Sequence, residues 1–444
     1  MIKLNKLVRV FTHEGGRARR FTPEQELKRT VMNCLLWEDQ FYEDGVSIAD
    51  RFAKLVPKIP AETCAAIAIE AREAMKLRHA PLLLVREMAR HDPHRKLVAD
   101  TLARIVQRPD ELTEFLAIYW KDALGPLQQR KKQPVSAQAK KGLAKALTKF
   151  DAYQLAKYDR DGAVRIRDVL FLTHAKPKDK DQAKIWKQLV DGTLPSPDTW
   201  EVALSAGKDK RAAFEGLIAE KNLGGLALLR NLRLMHKEGI PRETIATAID
   251  AMRTDRILPF RFVTAARYAP DFEPELEAAM LKSITGHAKL AGKTRLLIDV
   301  SGSMDAPLSA QSEMTRLEAA CGLAILAREV CESVEIFTFS NEVKKVPPRR
   351  GFALRDAIVS SQPHGGTYLG KAVSEIAAKD VRLIVFTDEQ SHDQVPAPRG
   401  VGYMINVASY QHGVGSGPWR RVDGFSDAVI AWIAAQEAEG DGAL

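Results

Sequence analysis

A chain of 444 residues, 45% hydrophobic and 28% charged, has enough apolar matter for roughly two or three packed domains. No apolar run approaches the ~20 residues that span a bilayer, and the start, Met1-Ile2-Lys3-Leu4-Asn5-Lys6 leading to Arg17, Arg19 and Arg20, lacks a signal-peptide core. The four cysteines (Cys34, Cys64, Cys321, Cys331) form no CxxC pair, which argues against a disulfide scaffold or a zinc site and for a reducing, cytoplasmic setting. The net charge of +9 is unevenly spread: residues 1–291 carry 51 Lys/Arg against 38 Asp/Glu, and residues 292–444 carry 15 against 19. Such asymmetry is expected where one part of a chain meets a polyanion, although a lysine-rich solvated surface gives the same sum.

From Thr22 to about Ile284 apolar residues recur at three and four, as in Leu27, Val31, Leu35 and in Leu82, Val85, Met88, which predicts helix after helix. Breaks are expected at Pro57 and Pro60, His91-Asp92-Pro93, Gly125-Pro126, Pro195-Ser196-Pro197 and Gly239-Ile240-Pro241, with Thr22 and Ser47 as caps. Helix pairs on short connections suggest a solenoid-like stack without a strict period. Between Asp122 and Asp151 stand seven basic residues and no acidic one: Arg130, Lys131, Lys132, Lys140, Lys141, Lys145 and Lys149. Lys141, Lys145 and Lys149 recur every four residues and would line one helix face, able to neutralise phosphates or simply to be solvated.

After Gly292 the texture changes. Short apolar runs at Arg295–Val300, Val334–Phe339, Val381–Phe386 and Gly402–Val407 read as buried strands. They alternate with helical spacing at Leu317–Ala324, Ala372–Ala378 and Ser426–Ala435. This pattern predicts an open, doubly wound α/β domain with a parallel core, whose ligands bind beyond the carboxyl ends of the strands.

Polar residues fall at those ends. Asp299-Val300-Ser301-Gly302-Ser303 follows the first strand, Thr387-Asp388 follows the third, and Gly365-Gly366-Thr367 precedes a helix between them. Asp299, Ser301, Ser303, Thr367 and Asp388 offer hard oxygen ligands of the kind Mg²⁺ takes. Alternation in Asp-x-Ser-x-Ser turns three side chains toward one point, with Gly302 expected to relieve crowding. The pattern closely resembles the metal-ion-dependent adhesion site of von Willebrand factor A domains at all five positions. The resemblance implies that the serines and threonine approach the ion, that the aspartates act partly through water, and that an open coordination position takes a partner protein's carboxylate. No nucleophile–base pair is evident, so the ion reads as a docking point and the chain as a non-enzyme.

Other motifs lead nowhere. Gly286 to Thr294 ends in Gly-Lys-Thr, but its spacing is one residue too long for a phosphate loop and it precedes a strand. His91 and His94 read as an exposed turn at a helix terminus. His364 and His392 match no ligand position.

Lys157-Tyr158-Asp159-Arg160, followed by the run from Arg165-Ile166-Arg167 to His174-Ala175-Lys176-Pro177, resembles a signature stretch of the TROVE module of Ro ribonucleoprotein autoantigens. Glu38–Gly45, Ala227-Leu228-Leu229-Arg230-Asn231-Leu232 and Arg256-Ile257-Leu258-Pro259-Phe260 resemble further parts of it, and that family also ends in an A domain. The resemblance implies a ring of HEAT-like helical repeats over residues 1–285, closed by the A domain over 286–444. It implies structured Y-type RNA on the outer basic surface and single-stranded ends of misfolded RNA in the central hole. Lys157 and His174 match positions tied to Y RNA binding; Lys176, Arg165, Arg167, Lys140, Lys141 and Arg230 join them as candidate RNA contacts. Asp161 stands where the family has a basic residue. A monomer is expected, and a 3′-exoribonuclease, the partner of bacterial members, is a candidate partner. The contrasting reading is a metal-dependent protein adaptor that binds no RNA.

Overall fold

The structure, a computed structural model, describes residues 11–12, 14–16, 21–33, 45–120, 134–162, 164–195, 200, 202, 209–254, 257, 259–284, 289–308, 312, 314–408, 410, 412–415, 417–424, 429–430, 433–434 and 437. It divides into two compact units, one made of Pro23–Glu38 and Asp44–Ala206, the other of Met1–Thr22, Asp39–Glu43 and Gly207–Leu444.

The first unit is helical throughout its described residues. Its elements are α1 (Pro23–Asn33), α2 (Gly45–Leu55), α3 (Ala61–Glu73), α4 (His79–Arg90), α5 (Arg95–Ile105), α6 (Asp110–Trp120), α7 (Ala137–Leu147), α8 (Ala152–Tyr158), α9 (Ile166–Thr173) and α10 (Lys180–Asp191). Local chemistry sets several ends. Pro60 precedes α3, the Ser136 side chain accepts from Ala139 N–H to cap α7, and Asp151 with Gln154 forms a reciprocal capping box at α8. Ser47, expected as a cap, lies inside α2, because that helix already starts at Gly45. Apolar stripes from these helices meet in one core running from Leu27 and Phe52 through Leu84, Phe115 and Leu143 to Val169 and Trp186. Gly142 lets α7 approach α5 closely, since a Cβ there would stand 2.9 Å from the Ala99 carbonyl oxygen.

Polar groups are buried with this core. Glu111 is fully buried; it accepts from Arg72 Nη2 at 2.6 Å and from the Gln107 and Arg108 N–H groups at 2.7 and 3.1 Å. Arg72 also donates to the Ile105 carbonyl at 3.0 Å, so the pair ties α3 to the α5–α6 turn. Burial raises the Glu111 pKa and lowers that of Arg72, against the pull of their mutual attraction. His94 is buried as well, contrary to the exposed turn expected from its sequence setting, and burial with His91 beside it lowers its pKa.

The second unit holds α11 (Lys210–Ala219), α12 (Gly225–Lys237), α13 (Arg242–Ala251), α14 (Pro259–Tyr268) and α15 (Glu273–Ile284), followed by a six-stranded sheet with its helices. The strands are β1 (Leu290–Asp299), β2 (Cys331–Phe339), β3 (Val343–Val346), β4 (Arg382–Thr387), β5 (Gly402–Asn406) and β6 (Arg420–Asp423). The helices among them are α16 (Arg316–Val330), α17 (Gly351–Val359) and α18 (Leu369–Ile376). Strand order is β3-β2-β1-β4-β5-β6, parallel except for the antiparallel β2–β3 edge. Leu297, Val385 and Met404 pack with Leu369 and Val373 of α18 on one face. By strand alternation Leu296 and Ile298 point the other way, and α16 packs against β1 and β4.

Texture changes between Ile284 and Leu290, near the expected 285/286 boundary, but the compact units divide after Ala206. Packing accounts for this: α14 lies on α16, and α15 reaches α17 through Glu277, which accepts from the Phe352 N–H at 2.7 Å, and through Glu273, which pairs with Arg355 at 3.2 Å. Of the expected helix at 426–435 only residues 429–430 and 433–434 are described, and these are helical; the Gly125-Pro126 break, the Arg130–Lys132 cluster and all but the last residue of Glu38–Gly45 lie outside the described residues. Among the described residues no helix is long and apolar enough to cross a membrane.

Breaking the Arg72–Glu111 pair on one side leaves a buried charge without its partner. Glu111→Ala should lower unfolding free energy in urea by roughly 3–5 kcal/mol. The double variant Arg72→Met/Glu111→Leu should lose much less, because both charges leave together.

Candidate metal centre and basic face

Parallel pairing of β1 with β4 sets Ile298 beside Phe386, so the residues that follow, Asp299 and Thr387, end neighbouring strands. Thr387 Oγ1 donates to Asp299 Oδ2 at 2.6 Å, and Asp388 follows at once. Asp299, Thr387 and Asp388 are fully buried, and Ser301 and Thr367 nearly so. The Ser301 N–H donates to Asp299 Oδ1 at 2.9 Å, and the Ser301 and Ser303 hydroxyls lie 3.3 Å apart.

Backbone bonds stitch the loops together. Gly302 N–H donates to the Gly365 carbonyl at 3.0 Å, and His392 N–H to the Thr367 carbonyl at 2.9 Å. Gly365 and Gly366 donate to the Ser340 hydroxyl and to Asn341 Oδ1 at 2.8 and 2.9 Å. The crowding anticipated at Gly302 belongs to Gly365: a Cβ at Gly365 would sit 2.4 Å from Asn341 Nδ2, whereas one at Gly302 would make ordinary contact at 3.5 Å. Of the two histidines, His364 Nδ1 meets Asp305 at 2.8 Å, and His392 Nδ1 lies 3.2 Å from the Thr367 nitrogen.

Burial and the charge of Asp388 push the Asp299 pKa up to about 7, despite hydrogen bonds from Ser301 and Thr387 that pull it down. One cation already faces the pair: buried Arg316, at the start of α16, donates from Nη1 to Asp388 Oδ2 at 3.2 Å and to the Ser303 carbonyl at 3.4 Å. Among the described residues no group of three or more His, Cys, Asp or Glu is gathered as for a metal ion. The donor set here is instead two carboxylates and three hydroxyls, which suits a hard dication that keeps part of its water. Their repulsion, which Arg316 offsets in part, favours an added positive charge.

Sequence reasoning missed Arg316 and an N-terminal segment that lies against the same loops. Thr12 Oγ1 donates to the Ser391 carbonyl at 2.8 Å, Glu14 pairs with His392 at 3.1 Å, and the Arg421 guanidinium lies 4.4 Å over the Phe21 ring. Nothing in the first twenty residues signals this docking, which depends on groups nearly four hundred positions away.

The candidate RNA contacts are less uniform. Lys140 and Lys141 lie on α7, and the expected stripe Lys141, Lys145 and Lys149 is exposed, although its last two members have partners. Lys145 pairs with Asp100 at 2.9 Å, and Lys149, beyond the end of α7, donates to the Ala103 carbonyl at 2.5 Å and to that of Val106. Arg165 is held by Asp159 at 3.1 Å and by Asp161 at 3.2 Å, so Asp161, itself exposed, takes up part of a nearby basic charge. Lys157 is half-buried, its Nζ 6.0 and 5.8 Å from the Tyr153 and Tyr158 ring centres. Arg167 is half-buried and Lys176 exposed. His174 ends α9 in the left-handed region with φ +50°, exposed at a cavity of about 580 Å³ shared with Phe171, Trp186 and Lys187. Arg230 belongs to α12, in the other compact unit.

The raised Asp299 pKa predicts a pH signature in chelator. Unfolded Asp ionises near pH 4, so this group's contribution to stability is fully present below ~4 and is lost as pH rises to about 7. The melting temperature of the intact protein should therefore fall relative to Asp299→Asn over that window. Adding Mg²⁺ at pH 8 should raise it in the intact protein and leave Asp299→Asn and Asp388→Asn unchanged. An intact protein indifferent to Mg²⁺ at pH 8 would remove these residues from any metal site.

Comparison with known proteins follows the same lines. Residues 192–320 match the model of the TROVE domain family. That span contains Ala227–Leu232, Arg256–Phe260 and the loop from Asp299 to Ser303, and leaves out Lys157–Pro177. No curated protein matches the chain. The crystal structure of the Deinococcus radiodurans Ro (Rsr) protein superimposes with a TM-score of 0.61 at 19% identity, covering 93% of this chain and 99% of that one. The TROVE-domain match thus spans the junction of helices and sheet, and the backbone as a whole shares the fold of the Deinococcus radiodurans protein.

Proposed function

We propose that this protein is a Ro-like RNA-binding scaffold, non-catalytic, which holds small structured noncoding RNA and the single-stranded ends of misfolded RNA for quality control. In this reading residues 1–285 form the HEAT-like repeat ring and residues 286–444 a von Willebrand factor A domain. Asp299, Ser301, Ser303, Thr367 and Asp388 hold Mg²⁺, and the ion's open position takes a carboxylate from a partner, a 3′-exoribonuclease being the candidate. The protein works as a cytoplasmic monomer.

The observation that carries RNA binding is the His174 face. An exposed histidine and Phe171, 58% exposed, stand at the mouth of an apolar cavity, with Lys176 close in sequence and Lys187 on its wall. Exposed aromatic rings stack unpaired bases whatever their identity, while lysines and arginines neutralise phosphates. Lys140, Lys141, Lys157, Lys176, Arg167 and Arg230 supply that charge, and Arg165 contributes less because two aspartates already hold it.

The buried carboxylate pair favours a second reading, a protein adaptor in which the metal site alone carries function. Filter binding of the full-length protein to a hairpin RNA with a single-stranded tail, across a salt series, separates the two. Tight binding should weaken steeply with salt, and Lys157→Ala/His174→Ala should lower affinity roughly tenfold and flatten the salt slope by about one. Indifference to RNA at low salt would leave the adaptor as the working description.

A further inference from the structure

On α12, Leu226, Leu229, Arg230 and Arg233 fall at helical spacing on one stripe; on α14, Arg261 and Tyr268 do the same, seven residues apart. The two stripes line one cavity of about 560 Å³. It therefore brings three guanidiniums together. Helices of this unit carry arginines matched by acids: Arg211 with Glu215, Arg242 with Glu275, Arg267 with Glu318. Among the described residues Arg230, Arg233 and Arg261 pair with no carboxylate, and all three are exposed at the cavity. Surrounding protein and the charge of Arg230 lower the Arg261 pKa, so the fold holds Arg261 charged against both desolvation and repulsion. An anion would relieve that cost, and a phosphate group matches the forked geometry of several guanidiniums better than a single carboxylate.

The remaining walls are not those of a bare phosphate site. Leu226, 46% exposed, Leu229 and the Tyr268 ring give the cavity an apolar side, and its volume lies in the ~300–1,000 Å³ range of small-molecule sites. Guanidiniums beside an aromatic ring and leucines fit a phosphate joined to a flat, apolar-faced group. We infer that the cavity between α12 and α14 binds one nucleotide, its phosphate held by Arg230, Arg233 and Arg261 and its base lying against Leu226 and Tyr268. This goes beyond the RNA-binding reading and does not depend on it: the nucleotide is either free or the end of a strand.

Equilibrium dialysis of the full-length protein against radiolabelled AMP, inorganic phosphate and adenosine, without RNA, tests the site apart from the RNA assay. AMP should bind one per chain at low salt, roughly tenfold tighter than inorganic phosphate, with adenosine too weak to read. Arg230→Ala and Arg261→Ala should each weaken AMP by about tenfold or more, and Arg261→Lys, which keeps the charge and loses the fork, by less. Thermal melts of the same variants separate lost binding from lost folding. Displacement of AMP by a 5′-phosphorylated single-stranded RNA would assign the pocket to a strand end, and no displacement to a free nucleotide. No AMP binding to the intact protein, equal affinity for phosphate and AMP, or unchanged binding in two folded arginine variants would each overturn the assignment.

Discussion

Like charge at the ends of neighbouring strands constrains the whole sheet edge. Parallel register between β1 and β4 leaves no choice: if both strands are buried and both end in aspartate-bearing turns, Asp299 and Asp388 meet in a site with little water. Two bare carboxylates there would be untenable, and the surrounding structure answers with donors. Ser301, Thr387 and Gln390 each donate to a carboxylate oxygen, and α16 starts where its first residue, Arg316, reaches Asp388. A reciprocal capping box between Thr315 and Glu318 fixes that start. The positive end of the helix and the guanidinium then act in the same direction, both favouring negative charge at Asp388. Two buried carboxylates against this guanidinium would still be favoured by an added positive charge, the basis of the proposed metal site.

What could be read in advance follows from the range of the interactions involved. β1, β2, β4 and β5 were legible because central parallel strands are buried on both faces and read as continuous apolar runs. The edge strands β3, Val-Lys-Lys-Val, and β6, Arg-Arg-Val-Asp, carry no such signal; each is four residues long and partly solvated. The five oxygen-bearing residues proposed for an ion could be picked out because strand ends in an α/β sheet gather in a known place. Arg316 was not, since an arginine opening an amphipathic helix looks like any surface cation until the helix is docked. The same blindness applies to His94, whose Asp-Pro neighbourhood suggests an exposed turn although α3, α4 and α5 pack around it.

Sequence also overstates how many outward cations are without a partner in the fold. Lys141, Lys145 and Lys149 have equivalent spacing and are all exposed, yet their partners diverge: Lys145 pairs with Asp100, and Lys149 donates to carbonyls at the end of α5. Helix ends consume charge, because their last carbonyls need donors and a nearby lysine is the cheapest one. Arg165 is spent on Asp159 and Asp161 in the same way. A count of basic residues in a segment is thus an upper bound on its polyanion surface. Arg230, Arg233 and Arg261 are informative for the opposite reason, since among the described residues no carboxylate pairs with them.

Charge counted by packing differs from charge counted along the chain. Divided by compact unit, Pro23–Glu38 with Asp44–Ala206 carries 31 Lys/Arg against 24 Asp/Glu, and the remainder carries 35 against 33. Most of the basic excess therefore stays with the all-helical unit, although α11–α15 group with the sheet. The near-neutral sheet unit is itself divided: its carboxylates include the pair at the ends of β1 and β4, while three of its arginines collect at the α12–α14 cavity. Two sites of opposite sign in one unit can each attract its own ligand only if local fields outweigh net charge. At the Debye length of ~8 Å in physiological salt they do, so the overall sum of +9 describes solubility and long-range approach, and the arrangement of a few buried or unpaired groups decides what is held.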